Sequence, residues 1–141
     1  TGQVYAFGAS SISQLDSAYI QNIKNASQYI NSIEKDNLAV LRGYSVNKHQ
    51  KIIREIINSI MCNYYVDIKS IAKKYSLQSS ELYKLIKFKK DNLDDFIEDE
   101  ILEFKDDAII VKESGRLFTR NIAMRFDPLI DQKVGSYSNT V

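Results

Sequence analysis

The sequence predicts a mainly α-helical fold with one small β-hairpin, and three observations carry that prediction. Apolar residues recur at spacings of three and four through most of the 141 residues, the period of an amphipathic helix. The period shortens to two only around Asp106-Asp107, where residues 101–105 and 108–112 read as two strands joined by an acidic turn. Ahead of the helices, Val4-Tyr5-Ala6-Phe7 reads as an apolar strand running into Gly8-Ala9-Ser10-Ser11-Ile12-Ser13. Such a small-residue exit gathers backbone amides and hydroxyls where a ligand could sit. Nothing in the sequence precedes this strand to pair with it, which is the pattern of a strand left at a ligand site of a larger enzyme.

Taken in order, Asp16 or Ser17 caps a helix carrying Tyr19, Ile20, Ile23, Ala26, Ile30 and Ile33 on one face, ending near Lys35-Asp36-Asn37. Residues 38–44 form a connector punctuated by Gly43. Ser45 or Asn47 caps the clearest helix, with Ile52, Ile53, Ile56, Ile57, Ile60 and Met61 in a broad apolar stripe. Residues 67–75 form a second helix with Ile68, Ile71 and Ala72 inward. Ser79 or Ser80 caps a third, which buries Leu82, Leu85, Ile86, Leu93, Phe96 and Ile97 and breaks around Lys89-Lys90-Asp91. After the hairpin, Ser114 caps a last helix holding Leu117, Phe118, Ile122, Ala123 and Phe126, which Pro128 ends. Residues 131–141 read as a polar arm. Three helices, a hairpin and a closing helix are the order of a winged-helix domain.

Composition narrows the function. Hydrophobic residues make up 44% and charged residues 26%, ordinary for a globular domain, and no apolar run approaches the roughly 18–20 residues needed to span a bilayer. No membrane segment and no signal-peptide pattern are expected, which makes the cytoplasm the default location. Cys62 is the single cysteine, so the chain alone forms neither a disulfide nor a cysteine-rich metal site. A formal charge of +1 argues against a dedicated polyanion binder. Winged helices often bind nucleic acid, and Lys73, Lys74, Lys84, Lys87, Lys89 and Lys90 form a basic stretch. The acidic run from Asp91 to Asp107 would turn a negatively charged wing toward phosphates, so nucleic-acid binding stands only as the alternative.

Single residues carry weaker signals. His49, the sole histidine, falls in the first turn of a helix, where its cation is poorly stabilised. Cys62, at the apolar end of the core helix, reads as packing material. Arg116, Arg120 and Arg125 lie along the last helix, the first two on one stripe, suited to nearby carboxylates or to those of another domain.

Several segments together resemble one family, the oxygen-independent coproporphyrinogen III oxidases, radical S-adenosylmethionine enzymes of heme synthesis. They are Gly8-Ala9-Ser10-Ser11-Ile12-Ser13, Tyr19-Ile20-Gln21-Asn22, Arg42-Gly43-Tyr44, Ile53-Arg54-Glu55-Ile56-Ile57, Met61-Cys62-Asn63-Tyr64, residues 115–127 and the closing Tyr137-Ser138-Asn139-Thr140-Val141. Order and spacing fit from about residue 2 to the end. Ala6 departs from the pattern, because related sequences often carry glycine there. Cys62-Asn63-Tyr64 and Arg120-Asn121 look more like the oxidases than like the heme-chaperone relatives of the same family, which remain an alternative.

The resemblance implies that this chain is the C-terminal part of such an enzyme. Residues 1–44 would then hold the last strand of a missing barrel with a helix and connector, residues 45–130 a winged-helix-like domain, and residues 131–141 an arm. It implies S-adenosylmethionine and a four-iron four-sulfur cluster as cofactors of the full-length enzyme, with the three cluster cysteines on the absent barrel. The implied reaction is radical oxidative decarboxylation of two propionates of coproporphyrinogen III to give protoporphyrinogen IX. Ile12 occupies the position that contacts S-adenosylmethionine, Gly8, Ala9 and Ser10 would shape the same pocket, and Arg116 and Arg120 are candidates for substrate carboxylates. This chain holds no catalytic residue and no metal ligand on that reading. It would be inactive alone and would cover the substrate cavity of a monomeric parent, partnered by its own barrel and by neither nucleic acid nor membrane.

Overall fold

Residues 2–128, described by a computed structural model, build two three-stranded antiparallel sheets and six α-helices. The fold is therefore mixed α/β rather than mainly α. The expected arm at residues 131–141, with its closing family-like segment, lies outside the described residues. Packing divides the chain into one unit running to Lys51 and another from Ile52 onward.

The first unit is a sheet of β1 (Ile12–Gln14), β2 (Ala18–Asn22) and β3 (Val40–Ser45), in that order, with one helix, α1 (Ala26–Glu34). Four expectations are corrected here. The expected strand at residues 4–7 does not form: Val4 makes one isolated bridge, to Gln14, and the first paired strand is residues 12–14, against β2. The Gly8–Ser10 turn precedes the paired strand instead of following it. Residues 18–22, expected as helix, are the central strand, because both of their backbone edges find partners in β1 and β3. The helix starts only where a cap is available, with Asn25 Oδ1 accepting from the Gln28 amide at 3.0 Å. The connector of residues 38–44 is largely β3.

The second unit takes its elements from α2 (Lys48–Asn63), whose first residues still belong to the first unit, through β4 (Tyr65–Asp67), α3 (Ile68–Lys74), α4 (Ser79–Leu85), α5 (Asp94–Glu98), β5 (Leu102–Lys105), β6 (Ala108–Val111) and α6 (Thr119–Met124). Single 3₁₀ turns lie at Lys90–Leu93 and Glu113–Phe118. The hairpin falls where the period change placed it. Asp106 and Asp107 at its turn both take left-handed backbone, φ 52° and 64°, as a two-residue turn between twisted strands requires. A third strand, missed by the sequence reading, joins it: β4 pairs with β6 and gives the order β4-β6-β5.

None of α3 to α6 exceeds seven residues, well short of the roughly 12–15 at which an isolated helix becomes marginally stable. They are held by shared burial. Ile52, Ile56 and Ile60 of α2, Ile68, Leu82, Leu93, Ile109, Ile122 and Phe126 are almost wholly buried, each contributing about 1.5–3 kcal/mol relative to exposure. Phe88 stacks between Tyr83 and Phe126, with ring centroids 5.8 and 4.7 Å away.

Caps follow local chemistry. Asn47 caps α2 as one of the two expected residues, exchanging hydrogen bonds with Gln50, whereas Gln78, not Ser79 or Ser80, precedes α4 and donates its amide to Glu81 Oε2 at 2.7 Å. Ser114 caps no helix; its hydroxyl donates to Glu100 O at 3.1 Å. The stretch after it is a 3₁₀ turn, so Leu117, 91% exposed, and Phe118 escape the burial expected of them. Met61 and Cys62 are likewise exposed at the end of α2, since the stripe turns outward after Ile60. Ile97 is exposed too.

Two positions make the packing testable. A Cβ on buried Gly115 would lie 2.2 Å from the backbone oxygen of Ile101, an overlap that flexible side chains cannot relieve, so Gly115→Ala should cost about 3 kcal/mol in urea unfolding. Asp67 caps α3, its carboxylate accepting from the hydroxyl and the amide of Ser70 at 2.7 and 3.0 Å. Those two bonds hold its pKa below the ordinary 3.8. A depressed carboxylate stabilises the fold fully above its unfolded pKa and loses that contribution as pH falls on through the lower, folded one. Asp67→Ala should cost about 1 kcal/mol at pH 7, with the difference from wild type shrinking below about pH 4, while Asp67→Asn should keep the cap and flatten the pH dependence.

Candidate functional site: a groove on the first sheet

Strand pairing assembles the site. Ile12 lies opposite Gln21 and Gln21 opposite Arg42, while Tyr19 lies between Gln14 and Tyr44. Because side chains alternate along a strand, these residues share one face. Ile12, Tyr19, Gln21, Arg42, Gly43 and Tyr44 line an open groove of about 280 Å³. Ile12 is 53% exposed there, an apolar side chain presented to a cavity rather than to a core. A bulge between Gln21 and Asn22, where the partner changes from Arg42 to Val40, bends the sheet beside the groove.

Polar bonds fix the groove's wall. Arg42 Nε donates to Gln21 Oε1 at 2.8 Å, and Gln21 Nε2 donates to Ser10 O at 3.3 Å. The turn before β1 is tied down from β2. Asn22 Nδ2 reaches Gly8 O at 3.0 Å, Ser11 Oγ at 3.1 Å and Ala6 O at 3.4 Å, and Ser11 Oγ donates to Gly8 O at 2.7 Å. Gly8 sits at φ 98°, a backbone that a side chain strains. Ser10 follows at φ 62°. Gln50 Nε2 donates to the hydroxyl of Tyr44.

The sequence-predicted residues fall into three places. Ile12 lines the groove. Gly8, Ala9 and Ser10 form the adjoining turn, of which Ser10 touches a groove residue through its carbonyl. Arg116 and Arg120 belong to the second unit and do not share a helix, since Arg116 is in the 3₁₀ turn and Arg120 in α6. Arg116 pairs with Glu113 at 2.9 Å and lies over the Tyr64 ring, 4.9 Å from its centroid. Arg125 pairs with Asp95 at 2.6 Å. His49 is in the first turn of α2, its Nε2 buried without a hydrogen-bond partner among the described residues. Gln21, Arg42, Tyr19 and Tyr44 were not singled out from sequence as a site. No local pattern marked them, because neither β2 nor β3 alternates in burial and the grouping comes from the pairing register.

Elsewhere, Tyr83 donates its hydroxyl to Asp107 Oδ1 at 2.9 Å, pinning the hairpin turn. Burial, with that bond second, pushes its pKa well above the ordinary phenol value.

Comparison with known proteins places this architecture in a class of C-terminal enzyme domains. A family model described as the HemN C-terminal domain matches residues 46–118, just over half of the chain. The chain belongs to the HemN C-terminal domain family. It is 31% identical over 131 residues to the oxygen-independent coproporphyrinogen III oxidase of Escherichia coli, a match covering 89% of this chain and 27% of that protein. The protein of the same name from Thermostichus vulcanus is 30% identical, covering 96% and 41%. A solved structure, described as coproporphyrinogen III oxidase (HemN) from Escherichia coli, a radical SAM enzyme, superposes with a TM-score of 0.74 at 28% identity, covering 89% of this chain and 28% of that one. The chain thus spans about a quarter of the Escherichia coli protein. Among the described residues no helix is long and apolar enough to cross a membrane.

Asn22 offers a direct check on the turn. Asn22→Ala removes the three-way clamp and should cost about 1–2 kcal/mol, with exchange of the Ser10 amide, which donates to Ile23 O, accelerating more than that of amides in the second unit.

Proposed function

We propose that this chain is the C-terminal part of an oxygen-independent coproporphyrinogen III oxidase, a radical S-adenosylmethionine enzyme. The observation that carries this reading is the collinear likeness of nearly the whole chain to relatives of that name. The longer protein decarboxylates propionates of coproporphyrinogen III to give protoporphyrinogen IX. Residues 45–130 form a winged-helix-like domain, a reading supported by the β4-β6-β5 order in which a strand between α2 and α3 joins the hairpin, and this domain covers the substrate cavity.

The iron–sulfur cluster does not fit this chain. It has one cysteine, Cys62, exposed at the end of α2, and three thiolates must converge on one cluster. The cluster therefore resides on another segment of the parent protein, and the chain alone is inactive. S-adenosylmethionine, by contrast, fits the groove, which joins an apolar side chain, two tyrosines and a cation. When bound, the cofactor supplies the hydrogen-abstracting chemistry. Ile12 contacts it, the Gly8–Ser10 turn shapes the pocket's rim, and the domain excludes water from the reacting centre.

The first unit's exposed apolar side chains suit packing against the parent's barrel. Phe7 and Leu38 are each 88% exposed, and α1 buries none of its residues. Nucleic-acid binding is disfavoured by the two aspartates at the hairpin tip.

The test is anaerobic turnover of coproporphyrinogen III by the full-length protein. Activity should require S-adenosylmethionine and vanish on deletion of residues 45–141. Ile12→Asp should raise the apparent KM for S-adenosylmethionine about tenfold or more, an unpaired carboxylate replacing an apolar contact. Unchanged turnover after the deletion would defeat the covering role, and absence of decarboxylation in the intact protein would defeat the assignment.

A further inference from the structure

Among the described residues lining the groove, Arg42 is the one cation and none is a carboxylate. Its Nε is committed to Gln21, whose own amide nitrogen is committed to Ser10 O. Both ends of the Gln21 amide are used, so the amide holds the guanidinium in a set orientation. The terminal nitrogens of Arg42 have no partner among the described residues. Two other guanidinium groups differ: Arg116 pairs with Glu113 and Arg125 with Asp95.

A guanidinium anchored through Nε presents its two terminal nitrogens as a planar fork that matches a carboxylate. The row Ile12, Gln21, Arg42 runs straight across three strands. At about 4.8 Å per strand, roughly 10 Å separates the apolar end of that row from the cationic end. A ligand with an apolar or planar body and a carboxylate at one end spans it.

We infer that Arg42 is the carboxylate-recognising residue of this groove, binding the acid group of a ligand whose body rests against Ile12. Two sources share that chemistry, the methionyl carboxylate of S-adenosylmethionine and a propionate of the porphyrinogen substrate. The identity of these two ligands rests on the proposed function; the choice of Arg42 rests on the groove.

Equilibrium binding to the full-length enzyme separates the cases. The probes are S-adenosylmethionine against 5′-methylthioadenosine, which lacks the carboxylate, and coproporphyrin III against its tetramethyl ester. Arg42 is exposed, so Arg42→Gln leaves the fold intact. That variant should weaken one carboxylate ligand about tenfold, the scale of a charge-assisted hydrogen bond, and leave its carboxylate-free counterpart within about twofold. Loss on S-adenosylmethionine assigns the methionyl group, loss on coproporphyrin a propionate, and Arg42→Lys should restore part of either. Wild type that binds both ligands while Arg42→Gln binds them equally well overturns the assignment alone, as do equal losses with and without the carboxylate. Wild type that binds neither ligand overturns the proposed function, and the Arg42 assignment with it.

Discussion

The register of β2 between β1 and β3 is the constraint on which the groove depends. Side chains alternate with a period of two, so a slip of one residue would send Tyr19 and Gln21 to the opposite face and dismantle the site. Backbone bonds at both ends of the strand prevent the slip. At one end Leu15 donates to Ala18 O and Val46 to Ser17 O, each at 2.8 Å; at the other Ile23 donates to Ala39 O at 2.8 Å and Ser10 to Ile23 O at 2.9 Å. The Asn22 clamp adds a side-chain lock that only one register satisfies. The bulge beside Gln21 then absorbs the extra residue of β3, leaving Arg42 opposite Gln21.

In the second unit β6 plays the corresponding part. It is central to its sheet, buries Ile109 completely, and receives β4 on one side and β5 on the other. Its ends are fixed by different chemistry. At the hairpin turn, two left-handed aspartates are held by the Tyr83 hydroxyl and by the Ile68 amide donating to Asp107 O at 2.9 Å. At the far end, Lys112 donates to Ile101 O at 2.9 Å, and Gly115 packs against that same carbonyl. A side chain at Gly115 would separate the closing turn from the strand it caps.

The two units were unequally legible in the sequence, and burial explains the difference. Ile52, Ile56 and Ile60, or Ile68, Ile71 and Ala72, announce their helices because each faces a core, and burial is what imposes period on a sequence. The hairpin was equally plain from Asp106-Asp107. In the first unit, among the described residues, only Ala39 and Val46 are buried apolar side chains, so the pattern was never filtered by a core. Tyr19, Ile20 and Ile23 happened to fit helical spacing, and strand pairing overrode it. Every residue of β3 is exposed, which removes the alternation that would mark a strand. Of the groove, Ile12 was reached only through resemblance, whereas the Gln21–Arg42 pair depends on a cross-strand register that no local pattern encodes.

This scarcity of core bears on how the site would work. The groove lies in the unit with few buried apolar groups, and its geometry is held by hydrogen bonds that water can weaken. Val4, Tyr5, Phe7, Leu38 and Leu41 remain exposed around the same sheet, and covering such side chains is worth about 1.5–3 kcal/mol each. Under the proposed function, the remainder of the parent enzyme supplies that cover. Cover also changes the electrostatics, because an attraction of about 1 kcal/mol at 4 Å in water rises to about 4 kcal/mol at an effective dielectric near 20. Arg42 would then bind a carboxylate weakly on the isolated chain and firmly in the assembled enzyme. Its terminal nitrogens, without a partner among the described residues, suit a group whose counterion arrives with the ligand rather than with the fold.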